Sequence, residues 1–137
     1  MDCIFCDIIE GKSSAEVIYE DDKIISFLDI RPVNFGHALV IPKKHYKDFV
    51  SVPEGELSCL IRGTKILSKA IMDSLMPDGF NIVVNNGSAA GQSVFHFHFH
   101  IIPRFFNDDF KFRPNLKNYE SDSMKEFADK IRASITI

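Results

Sequence analysis

Three histidines stand at alternate positions in His96-Phe-His-Phe-His100, the stretch of the chain with the most chemical content. In an extended strand side chains alternate between faces, so His96, His98 and His100 share one face while Phe97, Phe99 and Ile101 share the other. One face is then free for chemistry and the other for core. A lone strand histidine is more often a solvated residue than a functional one, but three in register beside Gly91-Gln-Ser93 reverse that reading. Imidazole is about half protonated near neutral pH and serves as metal ligand, proton carrier or nucleophile, and residue types alone leave all three open. The preceding loop adds close-approaching backbone N–H groups at Gly87 and Gly91 and side-chain donors from Ser88, Gln92 and Ser93. Donors around nucleophilic imidazoles suit phosphoryl chemistry.

Cys3-Ile-Phe-Cys6 is a second constellation. A Cys-x-x-Cys pair is half of a closed tetrahedral zinc centre and needs two further ligands. Redox use of the thioredoxin kind is disfavoured, because the pair does not open a helix after a core strand. Cys59 falls inside a helical pattern and is expected to pack.

Several elements must position these groups. Val17–Glu20 and Lys23–Leu28 are β-branched and aromatic runs around Asp21-Asp22, which predicts a hairpin. Asp29–Gly36 breaks the pattern, and His37–Ile41 resumes it until Pro42. From Glu54 to Met76, Leu57, Leu60, Ile61, Thr64, Leu67, Ile71 and Leu75 recur at steps of three and four, which predicts an amphipathic helix. Ser51-Val-Pro-Glu54 is a candidate capping box and Pro77-Asp-Gly79 a candidate stop. Strands are expected over Phe80–Val84 and Val94–Ile102, with Pro103 ending the latter, and Ser123-Met-Lys-Glu126 is expected to cap a short helix through Ala133. The sum is an α+β domain: one antiparallel sheet of about five strands with one long and one short helix on one face.

At 137 residues the chain is one domain, expected to span 1–137. Hydrophobic residues at 45% and charged residues at 26% exclude a disordered chain, and no apolar run nears the roughly 20 residues of a membrane span. A net charge of −3 disfavours nucleic acid and anionic membrane as partners. An odd number of cysteines without a secretory signal points to the cytoplasm.

The run His96-Phe-His-Phe-His100-Ile-Ile102 resembles the signature of the histidine triad (HIT) family of nucleotide hydrolases and transferases. Cys3-Ile-Phe-Cys6, Asp29-Ile30, Gly36-His37, Ile41-Pro-Lys-Lys-His45, Asn85, Gly87-Ser88 and Gly91-Gln-Ser-Val94 follow in the family's order, so the likeness runs from residue 3 to about 104. It is closest to the small microbial branch related to nucleoside phosphoramidases. The resemblance implies that His98 attacks the α-phosphate of a purine nucleotide and forms a nucleotidyl-imidazole that water hydrolyses. It further implies that His100 and Ser93 hold the phosphate oxygens, that Gln92 lies near the scissile bond, and that Asn85 and Gly91 complete the cradle. His37 would support the triad from a neighbouring strand, with His96 furthest from the phosphate, while Asp29 would bind the ribose hydroxyls and Ile30 would pack on the base. It supplies His45 and His96 as the missing partners of Cys3 and Cys6 in a structural Zn²⁺ site, and it implies a homodimer. A dinucleoside polyphosphate hydrolase using the same His98 chemistry is the enzymatic alternative, and a nucleotide- or zinc-binding interaction protein without turnover is the non-catalytic one.

Overall fold

The computed structural model describes residues 2–137. Its elements are α1 (Ile4–Ile9), β1 (Val17–Glu20), β2 (Ile24–Leu28), β3 (Ala38–Pro42), α2 (Glu54–Leu75), β4 (Gly79–Val83), β5 (Phe99–Arg104) and α3 (Ser123–Ala133). The strands form one antiparallel sheet in the order β1-β2-β3-β5-β4. Asp21 closes the β1–β2 hairpin by accepting from the backbone N–H groups of Lys23 and Ile24.

Alternation along the central strands sorts side chains into two cores. Ile24, Ala38, Val40, Phe97, Phe99 and Ile101 face α2, where Leu60, Leu67 and Ile71 meet them. The intervening Ile25, Phe27, Leu39 and Ile41 face the other way, onto Phe5 and Cys3. The helices therefore do not all lie on one face. The six-residue α1, opened by Cys3 as its N-cap, covers part of the second face. The cysteine pair thus does sit at a helix start, with no strand before it among the described residues. At Gly63 α2 approaches β2 so closely that a Cβ would collide with the Cδ1 of Ile24.

The α2 stripe is narrower than its sequence pattern. Leu60, Thr64, Leu67 and Ile71 are buried, whereas Ile61 and Leu75 are exposed, and so is Cys59, which does not pack. No capping box starts α2; Pro53 is its N-cap, and the box belongs instead to Asp48 and Ser51 in a preceding turn of 3₁₀ helix. The expected box at α3 is also absent, its N-cap being Asp122 without a side-chain bond.

The last strand differs most from expectation. It begins at Phe99, not Val94, and runs through Pro103 to Arg104. At Phe97 the backbone N–H donates to the Tyr46 carbonyl at 2.6 Å, outside the sheet ladder. Pro103 pairs with Phe80 beyond the end of β3, where the strand has a neighbour on one side only and a missing N–H is tolerated.

Candidate active site

His96 and His98 lie on the extended approach to β5, and His100 lies within it. Their phenylalanine neighbours Phe97 and Phe99 are locked into the α2 core, which forces the imidazoles onto the α1 side. All three rings are held by acceptors or donors whose chemistry fixes the ring proton.

A carbonyl only accepts, so each histidine nitrogen facing one carries hydrogen. His96 Nε2–H donates to the Pro42 carbonyl at 2.7 Å, leaving Nδ1 bare. His98 Nδ1–H donates to the His96 carbonyl at 2.7 Å, leaving Nε2 bare. At His37 the logic inverts: the Val33 N–H donates to Nδ1 at 3.1 Å, so the proton is on Nε2. That Nε2–H faces His100 Nδ1 at 2.9 Å, which makes Nδ1 the acceptor and puts the His100 proton on Nε2.

Burial keeps these rings neutral. It is the leading cause that lowers the pKa of His37, His98, His96 and His100, the last two to about 4. Asp29, whose Oδ2 is 3.6 Å from His37 Nε2, opposes the shift at His37, His98 and His100 without reversing it.

A cleft of about 430 Å³ opens beside these rings. Of the residues singled out from the sequence, Asp29, Ile30, Ser93, His98 and His100 line it. Ile30 is 90% exposed at its rim, and Asp29 Oδ1 accepts from the Arg31 N–H at 2.8 Å. The apolar wall formed by Ile4, Phe5 and Ile8 of α1, with Phe27 and Leu39, escaped the sequence reading. For Phe27 and Leu39 the strand alternation carried the signal; for α1 nothing did. Phe5 packs edge-on against the His98 ring, centroids 5.1 Å apart.

Other expected residues do not line the cleft. Gln92 is buried with its amide fully engaged: Oε1 accepts from Gly87 N–H, and Nε2 donates to the Lys47 and Val94 carbonyls. Asn85 lies beside Gly91, whose φ of +93° favours glycine.

At the other end of the row, Cys3, Cys6, His45 and His96 converge, with their ligand atoms all within 4.8 Å of one another. His96 Nδ1 is 3.5 Å from Cys3 Sγ and 3.6 Å from Cys6 Sγ, and His45 Nδ1 is 3.4 Å from Cys6 Sγ. Ligands about 2.0–2.3 Å from a tetrahedral centre stand about 3.3–3.8 Å apart, so the donor set and its spacing fit zinc. The bare Nδ1 of His96 points at both thiols, and its Nε2–H bond to Pro42 is the outer support such a ligand needs. Burial, followed by Cys3, raises the Cys6 thiol to about 11 without metal. Asp29, His37 and His100 also cluster. There, however, the Val33 bond leaves His37 Nε2 protonated and without a lone pair for an ion.

An antiparallel sheet with alternating histidines on and just before its last strand, two of them lining a cleft beside a glycine-bearing loop, defines the class. The family model described as HIT domain matches residues 10–107, and the chain belongs to that family. It is 45% identical over 103 residues to adenylylsulfatase HINT3 of Arabidopsis thaliana, covering 75% of this chain and 52% of that protein. The crystal structure of a HIT family member from Bacillus subtilis superposes with a TM-score of 0.93 at 35% identity, covering 100% of this chain and 99% of that one. A Zn-bound histidine triad family protein from Mycobacterium smegmatis matches at 37% identity and a TM-score of 0.77, covering 98% and 99%. Among the described residues no helix is long and apolar enough to cross a membrane.

Proposed function

We propose that the protein is a nucleotide hydrolase or nucleotidyl transferase acting at the α-phosphate of a purine nucleotide, with nucleoside phosphoramidates as its substrate class. The observation that carries this reading is the bare Nε2 of His98 on the cleft wall, neutral and aimed by its own Nδ1–H bond. Its lone pair attacks phosphorus and a P–N bond to the imidazole forms as the bond to the leaving amine breaks. The leaving amine takes a proton from solvent; water then attacks phosphorus as the P–Nε2 bond breaks, giving its proton back to solvent, so that the nucleoside monophosphate is released and His98 is free again. His100 Nε2–H and the Ser93 hydroxyl are the donors for the charge developing on phosphate oxygens. Asp29 accepts from the ribose hydroxyls, while Ile30 and the α1 wall receive the base. Gln92, Asn85 and Gly91 act by holding the loop that presents Ser93.

His96 has a different part. With Cys3, Cys6 and His45 it holds a structural Zn²⁺, a reading supported by the tetrahedral spacing and by the Zn-bound relative. Reduced thiols there suit the cytoplasm. Protein purified without chelator is expected to carry about one equivalent of zinc; less than a tenth, with undiminished stability, overturns the site.

A homodimer completes the reading, with residues 1–137 as its protomer. β4 is a sheet edge, and it flanks an apolar groove of about 580 Å³ against α2, lined by Ile61, Met72, Phe80 and Ile82. The Ser68 hydroxyl is buried in that groove without a hydrogen-bond partner. Light scattering is expected to give the dimer mass, and Ile82→Lys the monomer mass; a monomeric wild type contradicts it.

The relative named adenylylsulfatase favours a second reading, in which the same His98 expels sulfate from the α-phosphate. AMP release from adenosine 5′-phosphoramidate, adenylylsulfate and diadenosine tetraphosphate, each with wild type and His98→Ala, tests the choice. His98-dependent turnover led by the phosphoramidate supports the first reading, and a lead by another substrate moves the assignment to it. AMP binding without any turnover reduces the protein to a nucleotide-binding module.

A further inference from the structure

The loop over residues 29–37 carries Asp29 and His37, yet it is tied down by residues some seventy positions away. Asn34 Nδ2 donates to the Pro103 carbonyl at 2.8 Å and to Asp108 Oδ2 at 2.9 Å. Arg104 meets Asp108 through two parallel bonds, Nε to Oδ2 at 2.8 Å and Nη2 to Oδ1 at 2.9 Å. Two of its other donors go to Asn81 Oδ1 and the Phe110 carbonyl, each at 2.8 Å. Phe105 N–H adds a further bond to Asp108 Oδ2 at 3.1 Å. The Asp108 side chain is only 7% exposed. Bidentate, charge-assisted pairing of this kind fixes orientation as well as distance. None of the four polar residues in this cluster lines the cleft, and the proposed chemistry uses none of them.

From Asn34 an unbroken series of bonds reaches the triad. The His37 N–H donates to the Asn34 carbonyl at 3.0 Å. The Val33 N–H, one residue earlier, donates to His37 Nδ1, and His37 Nε2–H donates to His100 Nδ1. If the 33–34 backbone moved by an ångström, the Val33 amide would lose Nδ1, and His37 would be free to take the other tautomer. His100 would then lose its acceptor role at Nδ1, and with it the Nε2–H assigned to the cleft.

The geometry points to Asn34, Arg104 and Asp108 as positioning residues that lock the tautomers of His37 and His100 by clamping the loop between β2 and β3 onto the end of β5. The kinetic consequence rests on the proposed reaction; the tautomer consequence does not.

Asp108→Asn and Asn34→Ala test this, with Ile71→Val as a core change on α2, remote from the loop. Long-range ¹H–¹⁵N correlation of the histidine rings is expected to give His37 as a single Nε2–H tautomer in wild type and Ile71→Val, and as a mixture in the two cluster variants. For adenosine 5′-phosphoramidate, kcat is expected to fall about 10–100-fold in the cluster variants with KM changed less than about threefold. Ile71→Val is expected to lower only the melting temperature.

A single Nε2–H tautomer together with wild-type kcat in both cluster variants, whatever their stability, overturns the inference and leaves the cluster a structural tie. Should Asp108→Asn fail to fold, Asn34→Ala decides alone, since it removes a donor and leaves the Arg104–Asp108 pair intact. Should wild type turn over no nucleotide, the proposed reaction fails while the ring spectra still decide the positioning role.

Discussion

His96 and His98, neighbours in the histidine row, share residue type, alternation and burial, yet one opens onto the thiol end of the row and the other onto its cleft end. At His96 the acceptor is the Pro42 carbonyl on Nε2, so the free lone pair sits on Nδ1 among two thiols. At His98 the acceptor is the His96 carbonyl on Nδ1, so the free lone pair sits on Nε2 beside an open cleft. In the proposed reading, two residues apart, an imidazole changes from metal ligand to nucleophile according to which ring nitrogen meets a carbonyl. His96 serves both ends, its ring going to the cysteines and its carbonyl aiming His98.

The largest effect that separates the two ends is His98→Ala. It is expected to abolish turnover, to below a few per cent of wild type, while AMP binding and melting temperature stay close to wild type, because in the proposed reaction this side chain forms the bond itself. A variant that retains more activity removes His98 as nucleophile and the contrast with it. Cys6→Ser is the mirror experiment: it is expected to abolish stoichiometric zinc and lower the melting temperature by several degrees, with a smaller loss of kcat than at His98. Equal kinetic losses at both ends would erase the division of labour.

Asp29→Asn sharpens the cleft end. Loss of a charged acceptor is expected to raise KM about tenfold, the scale of a charge-assisted hydrogen bond, with kcat little changed. A change in kcat alone would move Asp29 from ribose binding to the His37–His100 pair.

The smallest effect is in pH. His37 and His100 have native pKa values below the unfolded value of about 6.5, so the unfolded chain binds protons first as pH falls. Their contribution to stability is full above about pH 6.5 and is lost as pH falls towards about 4, the value for His100. Denaturant titrations across that window are expected to show stability falling with acid, less steeply in His100→Gln. A flat profile contradicts neutral burial of the pair.

Local patterns made much of this legible in the sequence. The hairpin, β3, α2, β4 and α3 follow from period and punctuation, and the histidine row and cysteine pair are visible because their members are neighbours in the chain. His37 and His45 stand alone in sequence and gained meaning only from the family likeness. What stayed hidden depends on distant partners. α1 has six residues, an apolar β-branched composition and a cysteine as its cap, so no helical period develops. The start of β5 is set by the Phe97–Tyr46 bond, fifty-one positions apart, and the Arg104–Asp108–Asn34 cluster spans more than seventy. Gln92 reads as a free donor until its amide is seen to be filled by Gly87, Lys47 and Val94.

In the proposed reaction His98 Nε2 forms a covalent bond to the α-phosphorus. Acid-labile nucleotidyl-histidine is best sought directly, by rapid quench of wild type with adenosine 5′-phosphoramidate under neutral-to-basic conditions and mass mapping of the peptide containing residues 96–100. An AMP-sized adduct on His98, forming and decaying at rates that support kcat and absent in His98→Ala, is the predicted result. Turnover without any adduct, or an adduct on His96 or His100, would contradict it.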